Sequence, residues 1–340
     1  MTAPAGAKQP NRWVLGARPR TLPAAVVPVF VGTAVAWGVG PFQHPGDGDW
    51  INYAPSLAGP GFLKAIDWLN FALALVVALA LQIATNYAND YSDGKRGTDD
   101  PSKRVGPPRL VGNGLATASE VKRAMIFAFG VAAVAGFGLV LRVGWELVPV
   151  GIVAIAAGYF YTGGPKPYGY LGLGEAFVFV FFGVVATVGS TYVQIAWLGT
   201  SSMMWDLVVS ELVWVSLGCS VMVGCLATAM LVVNNLRDIP GDTISGKRTL
   251  AVKLGDQRTR VLYCMLLTVP FLLLPFVAGL GGRPVGSLAF AAIMVAGTPI
   301  KTVLGGAQGP ALIPVLGGTG RVQLVFGALL TAGLIISTYI

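Results

Sequence analysis

The sequence predicts an all-α integral membrane protein with nine transmembrane helices and a cytoplasmic N-terminus. Three observations support this fold class: charged residues are scarce, apolar runs are long, and basic residues concentrate in alternate loops. Of the 340 residues, 54% are hydrophobic and 11% are charged, whereas soluble domains carry about 25% charged residues. So few charges cannot cover a water-facing surface over this length, which argues against a soluble globular fold.

Nine apolar stretches are candidates for crossing a bilayer, because a spanning helix needs about 20 predominantly apolar residues. The predicted spans are about 21–39, 67–89, 121–141, 146–163, 174–198, 207–236, 259–280, 284–300 and 322–340. The fourth and the eighth are short. Cys219, Cys225 and Cys264 lie inside these stretches, which predicts small buried side chains and no disulfide framework.

The basic residues predict the orientation of these spans. With a cytoplasmic N-terminus, 20 of the 23 Lys and Arg residues lie on the inner side, and only Lys64, Arg142 and Arg283 lie outside. A missed helix would reverse every later loop, so this distribution tests the span count. The net charge of +8 then reflects topology and anionic lipid headgroups, and it predicts no binding of nucleic acid.

We expect one transmembrane domain over residues 1–340. Residues 1–18 form a polar N-terminal segment, and residues 90–120 and 237–258 form cytoplasmic loops that contain the active site. The protein is predicted to cross the cell's inner or plasma membrane several times, with its active site facing the cytoplasm.

A first cluster of oxygen-bearing side chains closes the second predicted span. Its members fall within one arc of about 100° on a helix. They are Asn86, Asn89, Asp90 and Asp93. Gly94 and Gly97 are expected to end the helix and turn the chain back, which brings Asp99 near this cluster.

A second cluster closes the sixth predicted span on the same side of the membrane. Its members share one arc of about 100° by the same arithmetic. They are Asn234, Asn235, Asp238 and Asp242. Asp and Asn at one helix end can simply solvate an interfacial loop. Two matched clusters, four helices apart, favour a functional interpretation because acids near a membrane are costly.

The chemistry of both clusters suits a metal-bound diphosphate. Neighbouring carboxylates repel each other and raise each other's pKa unless a cation lies between them. Carboxylate and amide oxygens are hard ligands for Mg²⁺ or Mn²⁺. Magnesium usually binds a few carboxylates together with substrate phosphates, and neighbouring basic residues bind the remaining phosphate charge.

At these residues the sequence resembles the UbiA superfamily of intramembrane aromatic prenyltransferases. Asn89-Asp90-Tyr91-Ser92-Asp93 is similar to the first half of that family's first Asp-rich motif. Where the family commonly has its next acid, this chain has Gly97, and Asp99 is the expected substitute. The resemblance implies a nine-helix bundle around a central cavity.

Within the superfamily the chain looks most like the branch that prenylates 1,4-dihydroxy-2-naphthoate in menaquinone synthesis. The segments that carry this similarity are 17–23, 93–99, 161–165, 170–175, 234–238 and 246–250. The resemblance implies that a polyprenyl diphosphate alkylates 1,4-dihydroxy-2-naphthoate, releasing diphosphate and CO₂ and giving demethylmenaquinol. It also implies Mg²⁺ as cofactor, with Mn²⁺ as the alternative ion, and the lipid bilayer as surroundings.

This reaction assigns expected roles to residues of both clusters and their neighbours. The expected catalytic acids are Asp90, Asp93, Asp238 and Asp242. The expected metal ligands are Asn86, Asn89, Asp90, Asp93, Asp99, Asn234, Asp238 and Asp242. The groups expected to bind the diphosphate are Lys95, Arg96, Arg237, Lys247 and Arg248. Asn235, also expected at the substrate, would add a neutral ligand or position the carboxylates. Tyr159 and Tyr161 are expected to shield an allylic cation. Arg18, Arg20 or Lys166 is expected to bind the acceptor's carboxylate.

Two alternatives stay open from the sequence. A related prenyltransferase with a different acceptor fits the same clusters: 4-hydroxybenzoate, homogentisate, haem, chlorophyllide or a sugar phosphate. A secondary transporter is the non-enzyme alternative. Transporters place polar groups near the bilayer midplane, whereas the clusters here lie at span ends, which argues against transport.

Overall fold

The computed structural model describes residues 11–37, 66–97, 105–196 and 211–340, and every regular element in these ranges is helical. The helices are α1 Arg12–Ala17, α2 Pro23–Val35, α3 Trp68–Arg96, α4 Ala118–Arg142, α5 Leu147–Phe160, α6 Gly174–Ile195, α7 Glu211–Ile244, α8 Leu250–Leu280, α9 Pro284–Leu304 and α10 Gly309–Ile336. Two short 3₁₀ turns, Pro19–Thr21 and Tyr168–Leu171, lie between them.

Among the described residues, seven helices are long and apolar enough to cross a membrane: α3, α4 and α6 to α10. The segment Arg12–Thr21 and α2 bend by 53° against each other and together make an eighth candidate span. Helix α5 is apolar but has only 14 residues. The chain is therefore a multi-pass membrane protein, and seven or eight of the nine predicted stretches meet this criterion.

Local sequence signals explain where the helices begin and end. The Asp67 side chain accepts a hydrogen bond from the Asn70 N–H at 2.7 Å and caps the start of α3. Gly97 ends α3 in the left-handed region, with φ of 70°. Thr117 and Glu120 form a reciprocal capping box at the start of α4.

Helix α7 is the centre of the bundle. Of its apolar 18-residue stretch, 78% is buried. The helix packs against α2, α6, α8 and α10. Such burial requires apolar residues all round the helix, and Cys219, Met222 and Leu226 are fully buried. Cys219 and Cys225 are buried free thiols and Cys264 is half-buried, as the sequence predicts.

A glycine pair lets α6 approach this central helix closely. A Cβ added at Gly183 would lie 2.6 Å from the Cα of Gly224. Small residues allow such close backbone packing between membrane helices, where helix association depends on van der Waals contact. Close packing at this point fixes the position of α6 against α7.

Polar residues also tie the helices together at the bundle end where α3 begins. Arg142 Nη2 lies 2.5 Å from Asp67 Oδ2, and Arg142 Nε donates to Asn70 Oδ1 at 2.7 Å. Asn70 Nδ2 donates to the Val193 carbonyl, which links α3 and α4 to α6. These contacts show that buried acid–base pairs can stabilise helix packing as well as take part in chemistry.

Candidate active site

One cavity of about 970 Å³ collects residues from both clusters. Its lining includes Asn86, Asn89 and Asp93 from α3 and Asn234, Asn235, Asp238 and Asp242 from α7. Protein ligand cavities usually measure about 300–1,000 Å³, so this one is large enough for a lipid-like substrate. The two clusters, separated by more than 140 residues in sequence, therefore lie on the wall of the same space.

Asp90 is almost fully buried and, unlike Asp93, Asp238 and Asp242, does not line the cavity. Its Oδ1 lies 2.7 Å from a guanidinium nitrogen of Arg18 and 2.7 Å from one of Arg109. Its Oδ2 accepts from the Leu110 N–H at 3.2 Å. A buried carboxylate needs such partners to offset its lost hydration. Arg18 and Arg109 both line the cavity.

Arg18 adopts a backbone conformation that is unusual for its residue type. It is the one non-glycine residue with positive φ in the described ranges, at 52°. Non-glycine residues in the left-handed region cost about 1–3 kcal/mol and persist where the surroundings hold them. Here the Asp90 ion pair holds the side chain at the cavity.

Asp93 has both carboxylate oxygens held by residues from other segments. The Tyr170 hydroxyl donates to Oδ1, and Lys247 Nζ lies 3.1 Å from Oδ2. Burial first, and then the Asp93 charge, raise the pKa of Tyr170 above its usual value. Tyr170 therefore stays a protonated donor to this carboxylate.

The asparagines of the first cluster also contact distant segments. Asn86 Nδ2 donates to the Ala17 carbonyl at 2.9 Å. The Thr162 hydroxyl donates to Asn89 Oδ1 at 2.8 Å. The end of α3 is thus connected to the N-terminal segment and to the chain after α5.

The second cluster pairs mainly within itself. Arg237 binds both oxygens of Asp238 at 2.8 and 2.7 Å, and it donates to Asn234 Oδ1 at 2.8 Å. Asn235 is the exception, because its Nδ2 donates to Glu175 Oε1 at 2.9 Å. The Asp242 side chain is half-buried.

The other predicted binding residues divide into two groups. Those that line the cavity are Arg18, Arg20, Tyr161, Asn235, Arg237 and Lys247. Those that the structure places away from the cavity wall are Lys95, Arg96, Tyr159, Lys166 and Arg248. Arg96 instead donates to the carbonyls of Thr162 and Gly164 at 2.5 and 2.6 Å. Asp99 lies outside the described residues.

An aromatic row continues from Tyr161 along the cavity. Tyr161 meets Tyr168 edge-on at 5.6 Å between ring centroids, and Tyr168 stacks on Phe177 at 4.0 Å. Phe177 stacks on Phe181 at 5.9 Å. All four rings line the cavity. They form a polarisable wall beside the acidic end.

A π-helical segment, Phe179–Val185, explains how α6 keeps one face on the cavity. The cavity-lining residues of α6 form two adjacent rows that each recur every four positions: Phe177, Phe181, Val185, Gly189 and Val193, and Val178, Phe182, Ala186 and Ser190. In a regular α-helix this spacing drifts by about 40° per step. The wider π turn takes more residues per turn and offsets that drift.

The sequence analysis assigned no role at the site to four residues that contact the clusters: Arg109, Thr162, Tyr170 and Glu175. Their contacts with the clusters span between 19 and 77 residues. Helical periodicity reports neighbours within one helix only, so it contains no signal for these pairs. Similarity of the segments 161–165 and 170–175 to the naphthoate branch was the available indication for Thr162, Tyr170 and Glu175.

The oxygen atoms that line the cavity are of the kinds that bind a hard divalent ion. Carboxylate and amide oxygens from both clusters line the same cavity. Within the described residues no three acidic side chains are grouped closely enough to ligate one ion by themselves. Mg²⁺ usually takes few protein carboxylates and completes its coordination with water and substrate phosphate.

Comparison with known proteins gives a consistent result. Residues 53–304 match the model of the UbiA prenyltransferase family. The 1,4-dihydroxy-2-naphthoate octaprenyltransferase of Mycobacterium tuberculosis is 45% identical over 95% of this chain and 96% of its own length. The protein of the same name from Escherichia coli is 37% identical over 75% of this chain and 72% of its own length.

Solved structures with low sequence identity share the fold. The apo structure of a UbiA homolog from Aeropyrum pernix has a TM-score of 0.65 at 13% identity, covering 92% of this chain and 96% of that one. A UbiA homolog from Archaeoglobus fulgidus bound to DMAPP and Mg²⁺ has a TM-score of 0.57 at 16% identity, covering 96% and 99%. With the family model matched over most of the chain, this protein belongs to the UbiA prenyltransferase family.

Proposed function

We propose that this chain transfers a polyprenyl group from polyprenyl diphosphate to 1,4-dihydroxy-2-naphthoate. Diphosphate and CO₂ leave, and demethylmenaquinol forms for menaquinone synthesis. The observation that carries the proposal is the single cavity whose wall includes the Asp and Asn side chains of both α3 and α7. The choice of acceptor is supported by relatives of that name that align with most of the chain.

The acidic end of the cavity is the proposed site of the diphosphate. Asp93, Asp238 and Asp242, with Asn86, Asn89 and Asn234, would hold Mg²⁺, with Mn²⁺ as the alternative ion. When bound, the ion supplies Lewis-acid neutralisation of the departing diphosphate. Lys247 and Arg237 line the same wall and would bind phosphate oxygens directly.

We assign Asp90 a different role from the other acids. It is buried behind Arg18 and Arg109, which both line the cavity. Its carboxylate would hold these arginines in place for an anionic group, and Arg18 with Arg20 would bind the acceptor's carboxylate. This assignment explains why Arg18 keeps a strained backbone conformation at the cavity wall.

The apolar part of the cavity is the proposed path of the prenyl chain. Phe137, Val150 and Ile152 line the cavity, yet their exposed fractions are 51%, 43% and 63%. The cavity therefore meets the apolar outer surface beside α4 and α5, where a chain longer than the cavity would continue into lipid. Tyr161 and the aromatic row would shield the allylic cation from water.

We further propose nine spans, with the N-terminus and the acidic end of the cavity facing the cytoplasm of the cell's inner or plasma membrane. In this arrangement the bent pair of Arg12–Thr21 and α2 is the first span, and α5 is a short span. Arg142 and Arg283, which the positive-inside rule assigns to the outer side, contact protein groups at the start of α3 and the ends of α2 and α10.

A direct assay tests this function. Purified protein in detergent or nanodiscs receives labelled polyprenyl diphosphate, Mg²⁺ and 1,4-dihydroxy-2-naphthoate, and prenylated product and released CO₂ are measured. Parallel reactions contain 4-hydroxybenzoate or homogentisate. The proposal expects product with the naphthoate and little with the other acceptors. Preference for another acceptor would reject the naphthoate assignment, and no transfer to any acceptor would reject the reaction class.

Matched variants connect the assay to the cavity. Asp238→Asn should abolish transfer, whereas Asp256→Asn on α8 should keep it. Asp256 is an acid with a neighbouring arginine partner as well, Arg260, but its side chain is 48% exposed and lies off the cavity wall. Equal activity of both variants would contradict the assignment of the diphosphate site.

A further inference from the structure

Three segments of the chain meet at Tyr170, a residue outside both acidic clusters. Its hydroxyl donates to Asp93 Oδ1 on α3. Its ring lies 4.7 Å from the ammonium of Lys247, which follows α7. Its carbonyl accepts from the Arg248 N–H at 3.0 Å. One residue of the short turn Tyr168–Leu171 thus contacts the ends of the two helices that carry the clusters.

The contacts of Tyr170 bear on both charged groups at the acidic end of the cavity. Asp93 Oδ1 accepts from Tyr170, and Asp93 Oδ2 lies 3.1 Å from Lys247 Nζ. Asp93, Tyr170 and Lys247 therefore form a closed triangle of contacts, and all three line the cavity. A change at any corner alters the positions of the other two.

A tyrosine is chemically suited to this corner. Its hydroxyl is a neutral donor, so it orients the Asp93 carboxylate without cancelling its charge. Its ring carries negative charge on the face, which attracts the Lys247 ammonium. The Arg96 guanidinium approaches the same ring at 5.3 Å. Phenylalanine would keep the attraction to the cations and lose the orientation of the acid.

We propose that Tyr170 is a positioning residue that fixes Asp93 relative to Lys247, so that an acid from α3 and a cation that follows α7 act on one diphosphate. The proposal rests on the diphosphate site of the proposed function. It assigns Tyr170 no contact with the reacting carbon. Its removal weakens diphosphate binding and leaves the stability of the bundle largely intact.

Tyr170→Phe and Tyr192→Phe are a matched pair that tests this role. Tyr192, like the half-buried Tyr170, donates its hydroxyl to a carboxylate, here that of Glu146, but Tyr192 is buried and lies away from the cavity wall. Binding of inorganic diphosphate in the presence of Mg²⁺ is measured by calorimetry on the purified full-length protein. KM and kcat for prenyl transfer and the melting temperature are measured on the same preparations.

For Tyr170→Phe we expect diphosphate affinity to fall about tenfold or more, because a hydrogen bond to a charged group is lost. KM for the polyprenyl diphosphate should rise by a similar factor, more than kcat falls, at a nearly unchanged melting temperature. Tyr170→Leu, which also removes the ring, should bind more weakly still. Tyr192→Phe should lower the melting temperature and leave diphosphate affinity unchanged.

Wild-type diphosphate affinity in Tyr170→Phe would overturn the positioning role. A loss of affinity that only follows a fall in melting temperature would also overturn it. The calorimetric measurement of diphosphate binding separates this inference from the acceptor assignment. If the wild-type protein binds diphosphate but prenylates no naphthoate, the acceptor proposal fails and Tyr170 is still tested. If it binds no diphosphate with Mg²⁺, both fail together.

Discussion

The two acidic clusters look alike in sequence and differ in how the fold holds them. On α3, Asp90 and Asp93 bind cations and donors from segments 19 to 154 residues away. On α7, Asp238 pairs with its own neighbour Arg237. The first cluster is therefore tied to distant segments of the scaffold while Asn86, Asn89 and Asp93 also line the cavity, whereas the second is paired mainly with its own neighbour. Similar composition is thus held in place by two different kinds of contact.

Each cluster contains an ion pair with one deeply buried partner. In the first cluster that partner is the acid, because the Asp90 side chain is 1% exposed, whereas in the second it is the base, because Arg237 is 2% exposed and Asp238 is 19% exposed. Removing one partner of a buried pair leaves an uncompensated charge, which costs far more than breaking a solvated pair. The Asp90 carboxylate contacts Arg18, Arg109 and the Leu110 N–H, whereas Asp238 pairs with Arg237, so mutation of Asp90 should cost more stability than mutation of Asp238.

The largest expected effect is on activity at the second cluster. Asp238→Asn removes a charge proposed to act on the diphosphate. Truncating one partner of a hydrogen-bonded charge pair costs about 2–5 kcal/mol, so we expect kcat/KM to fall by about two orders of magnitude or more. Asparagine keeps an oxygen acceptor for the buried Arg237, so the melting temperature should fall less than in Asp90→Asn. An inactive variant that is also unfolded would place Asp238 in the scaffold instead.

The next effect concerns stability at the first cluster. Asp90→Asn leaves Arg18 and Arg109 without their shared carboxylate, and loss of one partner from a buried pair costs about 3–5 kcal/mol. We expect a clear drop in melting temperature or in yield from the membrane. If Asp90→Asn melts like Asp238→Asn, the distinction between the clusters is lost.

A glycine pair tests the same comparison through packing. A Cβ added at Gly94, beside Asp93, would lie 2.4 Å from the Cβ of Val111, whereas one at Gly241, beside Asp242, would meet nothing within 4 Å. Gly94→Ala should therefore destabilise by about 1–3 kcal/mol. Gly241→Ala should be neutral or stabilise by up to about 1 kcal/mol, because alanine favours a helix. Equal stability of the two variants would contradict the packing difference.

The smallest expected effect is at Asn89. Thr162→Val removes the hydroxyl that donates to Asn89 Oδ1 and keeps the shape of the side chain. A neutral hydrogen bond contributes about 1 kcal/mol, so a modest loss of stability and a severalfold change in KM are expected. Denaturation and steady-state kinetics measure both. A total loss of activity would show that Thr162 touches the substrate itself.

Periodicity and charge predicted the apolar helices, but they misjudged where two helices end. Gly94 and Gly97 were both expected to end α3, and only Gly97 does so. Gly94 is inside α3, and Val111 packs where a side chain at this position would lie. The span that carries the second cluster was predicted to end at about residue 236, with 237–258 as a loop, whereas α7 continues to Ile244 with Pro240 inside it. Glycine and proline signals alone therefore did not locate these two helix ends.

The candidate site was predictable only as far as single helices determine it. The arcs that hold Asn86 to Asp93 and Asn234 to Asp242 follow from helical geometry, and every member of both arcs except Asp90 lines the cavity. The partners of those arcs do not follow from it. Tyr170 reaches Asp93 across 77 residues and Lys247 reaches it across 154, so the fold had to be known first.

Calorimetric binding of inorganic diphosphate with Mg²⁺ tests most directly whether α3 and α7 serve one ligand. The variants are Asp93→Asn and Asp238→Asn, with Asp256→Asn as control. Shared binding predicts that each cluster variant loses about tenfold or more in affinity, equivalent to about 1.4 kcal/mol, while the control binds like the wild type. Wild-type affinity in either cluster variant would contradict a jointly held diphosphate.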